Sequence, residues 1–199
     1  APCTNSGVLG TPAAISDWNA DAPDVASNKS GYAVAWRKYD GPTGQQRIFA
    51  NMYSASTWAT ETLVDTVPGH GYYPKIASNG SGYAMAWQKY DTVAGTHDVY
   101  GTVSSGGTGT ATWQAPVLLE NLSGAALYPY VASDGNGYAV AWTQDDGSGA
   151  YSVYANLYSA GSWSSAGTLL ENSDGALYDV ADRAIASNGS GYAVAWSQY

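Results

Sequence analysis

With 199 residues, a net charge of −9 and only seven Lys and Arg scattered along it, the chain is too acidic to favour nucleic acid or an anionic membrane surface as partner. No apolar run is long enough to span a bilayer. Charged residues make up 12% against 13% aromatic, with 17 Tyr and 8 Trp, so stability has to come from packing aromatic against small residues, and the single Cys3 excludes an intrachain disulfide framework.

The start, Ala1-Pro2-Cys3-Thr4, reads as the product of signal-peptide removal. Together with the acidity and the Tyr, Thr, Gly and Ser richness, it sets the expectation of an extracellular location, secreted or at the cell surface. Cys3 reads as a tail residue, with an interchain link or an acylation point as alternatives.

In chain order, the first expected strand spans 8–16, where Thr11-Pro12-Ala13-Ala14-Ile15 aligns with the fourth strand of the repeats that follow. Four repeats then cover approximately 20–65, 66–120, 121–171 and 172–199. Each carries one hexapeptide, starting at Gly31, Gly82, Gly137 and Gly191, of which Gly137-Tyr138-Ala139-Val140-Ala141-Trp142 is typical. Spacings of 51, 55 and 54 residues suit one four-stranded propeller blade per repeat.

A first strand precedes each hexapeptide, at 23–27, 74–78, 129–133 and 184–187, and tight turns begin at Asn28, Asn79, Asp134 and Asn188. Third strands are expected at 47–53, 98–103 and 151–158. Fourth strands follow Trp58, Trp113 and Trp163, the last running to Glu171. The fold class is therefore all-β, a β-propeller of about four blade repeats of four antiparallel strands in one domain, with almost no helix and one strand short of closure. That missing strand leaves an unpaired edge with three alternatives for filling it: continuation of the polypeptide, another subunit, or a partial propeller that forms a homo-oligomer through the edge.

Alternation along the hexapeptide sends Tyr138, Val140 and Trp142 to one face and Ala139 and Ala141 to the other. Both faces are apolar, so both are expected to be covered, bulky side on one sheet against small side on the next.

The run Ala-Ser-Asn-Gly-Ser-Gly-Tyr-Ala-Val-Ala-Trp at 186–196, with the Val-Tyr-Ala-Asn strand at 153–156, resembles the blade repeat of large secreted bacterial β-propeller proteins over nearly all of 20–199. The resemblance implies an extracellular propeller and carries no catalytic residues across. A second resemblance, to the four-bladed hemopexin-like domain, is in length and blade number only. The sialidase Asp-box is absent, and Arg37, Arg47 and Arg183 stand at non-equivalent repeat positions, unlike a carboxylate clamp.

Catalysis finds little footing. His70 and His97 belong to no nucleophile motif, His70 reading as a loop residue, and the expectation is a protein without enzymatic activity. The acidic turns at 145–149 and 171–175 are the only candidate Ca²⁺ ligands and miss the twelve-residue loop pattern, so turn chemistry explains them and no cofactor is expected. Asn28, Asn79, Asn121 and Asn188 each open an Asn-x-Ser sequon, a candidate glycosylation site where Asn also favours the turn.

The better hint is an aromatic beside a carboxylate after the second strands: Tyr39-Asp40, Tyr90-Asp91 and Asp145-Asp146. A flat apolar ring with acceptors beside it suits sugars. Tyr72, Tyr73, Tyr128 and Tyr178, expected in loops before first strands, add stacking faces; covering of blade edges is the simpler account of all these tyrosines. The reading is a lectin-like module with glycans as partners, and its rival is a self-assembling surface or filament subunit completed by strand exchange.

Overall fold

The computed structural model describes residues 13–17, 19–105, 112–145, 147, 150–171 and 183–197. The first sheet is β1 (Ala20–Ser27), β2 (Tyr32–Asp40), β3 (Gln45–Ser54), β4 (Thr57–Trp58) and β5 (Thr62–Leu63). The second is β6 (His70–Ser78), β7 (Tyr83–Asp91), β8 (Thr96–Ser105), β9 (Thr112–Trp113) and β10 (Val117–Leu118). The third is β11 (Ala126–Ser133), β12 (Tyr138–Asp145), β13 (Tyr151–Ser159), β14 (Ser162–Trp163) and β15 (Thr168–Leu169), and β16 (Arg183–Ser187) with β17 (Tyr192–Trp196) completes the set. All pairings are antiparallel, and the described residues contain no helix. Cys3, Asp146, Tyr178, Tyr199 and the 8–12 part of the expected N-terminal strand lie outside the described residues.

Each complete repeat is a meander, but the expected fourth strand is two short pieces. In the third sheet β14 and β15 both pair with β13, at Tyr158↔Trp163 and Tyr154↔Leu169. Between them the Asn156 amide donates to the Ser164 carbonyl at 3.0 Å, and Thr102 does the same to Gln114 at 2.8 Å in the second sheet. A side chain of the third strand thus satisfies a carbonyl that a continuous ladder would have paired, and the chain bows away there.

The hexapeptide organises the packing between sheets. Tyr83, Met85 and Trp87 of the second sheet are buried against Ala33, Ala35, Ala50 and Ile48 of the first. Val140 and Trp142 of the third lie on Ala86, Val99 and Leu119 of the second, while Tyr138 meets Ala84 and Val103. Bulky faces therefore rest on small faces at both interfaces. Glycine leads the motif because a Cβ on Gly31 or Gly137 would overlap the third-strand carbonyl oxygen of Tyr53 or Tyr158. Tyrosine follows because its hydroxyl reaches the hairpin of the sheet before: Tyr192 accepts from the Asp134 N–H at 3.2 Å, and Tyr83 and Tyr138 take the Asn28 and Asn79 N–H groups likewise. Burial pushes the Tyr83 hydroxyl up to about 12.

A polar pin accompanies each contact, two residues after the Trp. Lys38 meets Asp17 at 2.7 Å, Lys89 meets Asp65 at 2.7 Å, and Gln144 donates to Glu120 at 2.8 Å. Lys89 and Asp65 are fully buried, and Arg47 donates to the Asp65 carbonyl, so this cluster is a charged centre between the first two sheets. Burial pushes the Asp65 carboxyl up and the Lys89 ammonium down, opposed by their mutual attraction.

The expectation that both faces of every repeat are covered fails at the two ends of the row. Val25 of the first sheet is 59% exposed, and Ala184, Ala186, Ala193 and Ala195 of the last are exposed. No described sheet lies beyond them. The segment at 13–17 covers part of the first face, where Asn51 donates to the Ile15 carbonyl as Asn156 does to that of Leu119.

Truncating Trp142 to Ala should cost about 3–5 kcal/mol in chemical unfolding, because the indole is fully buried and loses its bond to Gln144. The turns beginning at Asn79, Asp134 and Asn188 place Gly80, Gly135 and Gly189 at φ near 90°, whereas the first repeat has Lys29 at φ 73°. Lys29→Gly should therefore raise stability by about 0.5–1 kcal/mol, read as a higher urea midpoint with unchanged slope.

Candidate functional site

One end of the row gathers the starts of first strands and the ends of second strands, as the pairings Ala20↔Lys38, His70↔Tyr90 and Ala126↔Gln144 require. The first strands β1, β6 and β11 each carry a bulge here, with register shifts between Asp21 and Asp24, Tyr72 and Lys75, and Leu127 and Tyr130. In all three the residue before a proline takes a left-handed backbone: Ala22 at φ 49°, Tyr73 at 50° and Tyr128 at 52°. Such a conformation costs a non-glycine residue about 1–3 kcal/mol, and for a tyrosine before proline it is doubly disfavoured.

The bulge turns two of these side chains outward. Tyr73 is 44% and Tyr128 38% exposed, and their rings, from neighbouring sheets, lie 5.2 Å apart at 44°. Gln88 helps hold the second bulge, its side-chain oxygen accepting the Tyr128 N–H at 3.0 Å. A continuous row of rings extends from the pair: Tyr72 lies 6.2 Å from Tyr73, His97 6.1 Å from Tyr72, and Tyr90 4.9 Å from His97. His70 flanks Tyr72 at 6.4 Å, and the Arg37 guanidinium, paired with Asp21, sits 5.2 Å over the Tyr72 ring. The polar groups set into the row are Gln88, whose amide is 2.9 Å from His97 Nδ1, and Arg37 itself.

The structure brings Tyr72, Tyr90 and Tyr128 of the expected set into this row and leaves Tyr39, 47% exposed, outside it. Tyr72 and Tyr128 sit in β6 and β11 and not in loops, because pairing with β7 and β12 continues through the bulge. His70 likewise lies in β6. The carboxylates do different work from the rings: Asp91 accepts the Val93 and Ala94 N–H groups at 2.7 and 3.0 Å, Asp145 the Gly147 N–H at 2.8 Å, and Asp40 the Thr43 hydroxyl at 2.6 Å. They hold the turns that follow their strands. His97, Arg37 and Gln88 were not singled out from the sequence for this site, since only the strand register lays them beside the tyrosines.

Among the sequon residues, Asn28 is 3% exposed, and Asn79 and Asn188 cap their own hairpins, accepting the Gly82 and Gly191 N–H groups at 2.8 and 3.1 Å. Asn121 is exposed. Among the described residues no three His, Cys, Asp or Glu side chains converge to hold a metal ion, and no helix is long and apolar enough to cross a membrane. The 172–175 part of the second acidic turn lies outside the described residues. Close to the row, Asp98 is pushed up to about 6 by burial and by the negative charges of Glu120 and Asp91, and burial raises Glu120 as well.

No family model matches this chain, and no curated protein does. Among solved structures it is similar to an alpha-L-arabinofuranosidase from Podospora anserina in complex with cellotriose, at 11% identity and a TM-score of 0.45, over 84% of this chain and 55% of that one. The chain thus spans about half the length of the protein it matches. That protein is an enzyme, and the expectation of no enzymatic activity is withdrawn as one drawn from absent motifs. Missing nucleophile and histidine motifs do not exclude catalysis, because a pair of carboxylates, which leaves no sequence motif, suffices for glycosyl transfer.

The raised Asp98 carboxyl destabilises the fold once ionised. Its contribution is fully present below pH 4, the range of its ordinary value, and is lost as pH rises through about 6. Asp98→Asn should flatten the stability profile between pH 4 and 7 and gain about 1 kcal/mol at pH 7, allowing for solvent screening of this half-buried group. Thermal unfolding of both proteins across that range checks it.

Proposed function

We propose that the chain is a carbohydrate-binding protein of propeller type, its four repeats being blades, and that the tyrosine row across the second and third takes the flat faces of sugar rings. One observation carries the reading: two adjacent repeats hold an exposed tyrosine in a left-handed backbone, and the two rings lie 5.2 Å apart. Packing does not require this arrangement, since the first repeat has the same bulge with Ala22 in its place. Strain kept at an exposed aromatic pair favours recognition over architecture.

The chemistry fits a neutral polyhydroxylated ligand. Tyrosine rings offer C–H and apolar contact to a sugar face, and hydroxyl, amide and guanidinium groups at the row's margin offer hydrogen bonds. Several shallow sites of this kind give weak single affinities that add when the ligand is repetitive. The acidity and the paucity of Lys and Arg suit an extracellular glycan ligand better than a phosphorylated one.

A glycan array followed by calorimetry on the best oligosaccharide tests the reading, with Tyr73→Gly and Tyr128→Gly as variants. Glycine removes the ring and also relieves the left-handed strain, so each variant should bind about tenfold more weakly, about 1.4 kcal/mol, while its melting temperature stays level or rises. Folded protein that binds no glycan, or variants that bind as tightly as the parent, would overturn it.

A further inference from the structure

We propose that Gln88 and His97 form a proton-operated latch on the exposed tyrosine pair, locked while His97 is neutral and released when it is protonated, so that acid weakens ligand binding at the row. The consequence for binding rests on the sugar-binding reading, whereas the latch rests on hydrogen bonds within the protein. The Tyr128 backbone N–H can only donate, and it donates to the Gln88 side chain at 3.0 Å, so the oxygen of that amide faces β11. The amide nitrogen then lies 2.9 Å from His97 Nδ1, and because it too can only donate, Nδ1 accepts. The network thus assigns a neutral imidazole with its proton on Nε2.

Protonation places a hydrogen on Nδ1, and two donors then meet. Gln88 can satisfy the imidazolium only by turning its oxygen toward Nδ1, which takes that acceptor away from Tyr128. Gln88 is 4% exposed, so water does not freely relieve the conflict. Tyr128 stands at φ 52° before Pro129, a conformation that persists only while its surroundings enforce it. With one of its holds gone, the Tyr128 ring is free to leave that of Tyr73, 5.2 Å away.

His97 is only partly buried, so its proton comes from solvent. Burial holds the imidazole below its ordinary value, which keeps it neutral at neutral pH and charges it in acid. Facing it are Tyr90 of β7 and Tyr72 of β6, with His70 beyond Tyr72 and Arg37 of β2 over the Tyr72 ring. β11 contributes Tyr128. The carboxyls nearby are Asp91, opposite Thr96, and Asp98, the next residue of β8, which feels the charge of Glu120; Lys89, opposite Asp98, is tied to Asp65. Of these, Asp98 titrates in the same range, at about 6.

The pair does not belong to the frame that the repeats share. One residue after the hexapeptide Trp, where the second repeat has Gln88, the first has Arg37 and the third Thr143. Where the second has His97 opposite Tyr90, the first has Gln46 opposite Tyr39 and the third Tyr151 opposite Asp145. Arg37 can only donate and is paired with Asp21, so it offers the Tyr73 bulge no acceptor. An acceptor for the bulge, coupled to a titrating ring, is therefore peculiar to the one place where it controls a tyrosine of the pair.

The test follows the whole chain by NMR between about pH 7.5 and about pH 5, beside calorimetry with the best oligosaccharide from the array. The Tyr128 amide signal is expected to move, and its protection from exchange to fall, with the midpoint of the His97 imidazole and not that of His70. Sugar affinity should drop by up to about tenfold, the loss expected from removing the Tyr128 ring. His97→Phe, which keeps a ring between Tyr72 and Tyr90 but takes no proton, should bind at about pH 5 as the parent does at about pH 7.5. Asp98→Asn, which removes the other group titrating in this range, should keep the whole response. A Tyr128 amide indifferent to His97, an acid response that persists in His97→Phe or vanishes in Asp98→Asn, or an amide response with unchanged sugar affinity would overturn the proposal. The amide titration needs no variant, so misfolding does not blunt it. Protein that binds no sugar at either pH, yet shows the amide response, sinks the sugar reading alone and leaves the latch supported.

Discussion

The contact between a bulky sheet face and a small one is the constraint from which the rest follows. Trp87 fits over Ala33 and Ala35 only because those positions carry single methyl groups, and the same accommodation is repeated when Trp142 lies on Ala86. Sheets packed face to face with large residues on both sides would stand too far apart for the hexapeptide tyrosine to reach the neighbouring hairpin. With the Tyr–Ala alternation in place, Tyr192 reaches the Asp134 backbone, and the polar pins at Lys89 and Gln144 close on Asp65 and Glu120. Packing, hydroxyl contact and pin therefore reinforce one another at every interface between complete repeats.

The pins also explain a difference between repeats. Where the pin is Gln144, its carbonyl oxygen accepts the Trp142 indole N–H at 2.9 Å; where it is Lys38 or Lys89, which can only donate, the Trp36 and Trp87 indole nitrogens are buried without a hydrogen-bond partner among the described residues. In exchange, Lys89 forms a buried ion pair with Asp65, a group of contacts strong in geometry and expensive in desolvation. The first interface is thus held more by an ion pair and the second more by the hydrogen bonds of the Gln144 amide.

The tyrosine row depends on this frame without contributing to it. Strand pairing on either side of each bulge keeps Tyr73 and Tyr128 in a backbone state they would not choose, and stacking the sheets brings the two bulges within ring contact. Ala22, at the same place in the first repeat, shows the scaffold tolerating the bulge with no ring at all. The site is accordingly a surface property of two repeats written onto a feature common to three.

Read alone, the sequence determined the all-β class, the hairpins and which side of each hexapeptide strand is bulky, because period-two alternation and Gly-rich turns are local signals carried by neighbouring residues. It also marked Tyr72, Tyr90 and Tyr128 as aromatics at recurring positions. What it left undecided depends on register and on distance in space. The splitting of the fourth strand follows from the reach of Asn156 and Thr102 across the sheet, and the bulge from two residues standing opposite one residue of β7 or β12. Likewise His97 joins Tyr72 and Tyr73 meets Tyr128 only once strands and sheets are laid side by side. Tertiary structure alone decided that Asp40, Asp91 and Asp145 serve their own turns while the rings form the row, since a carboxylate next to backbone N–H groups is captured locally and an aromatic ring is free to find partners at long range.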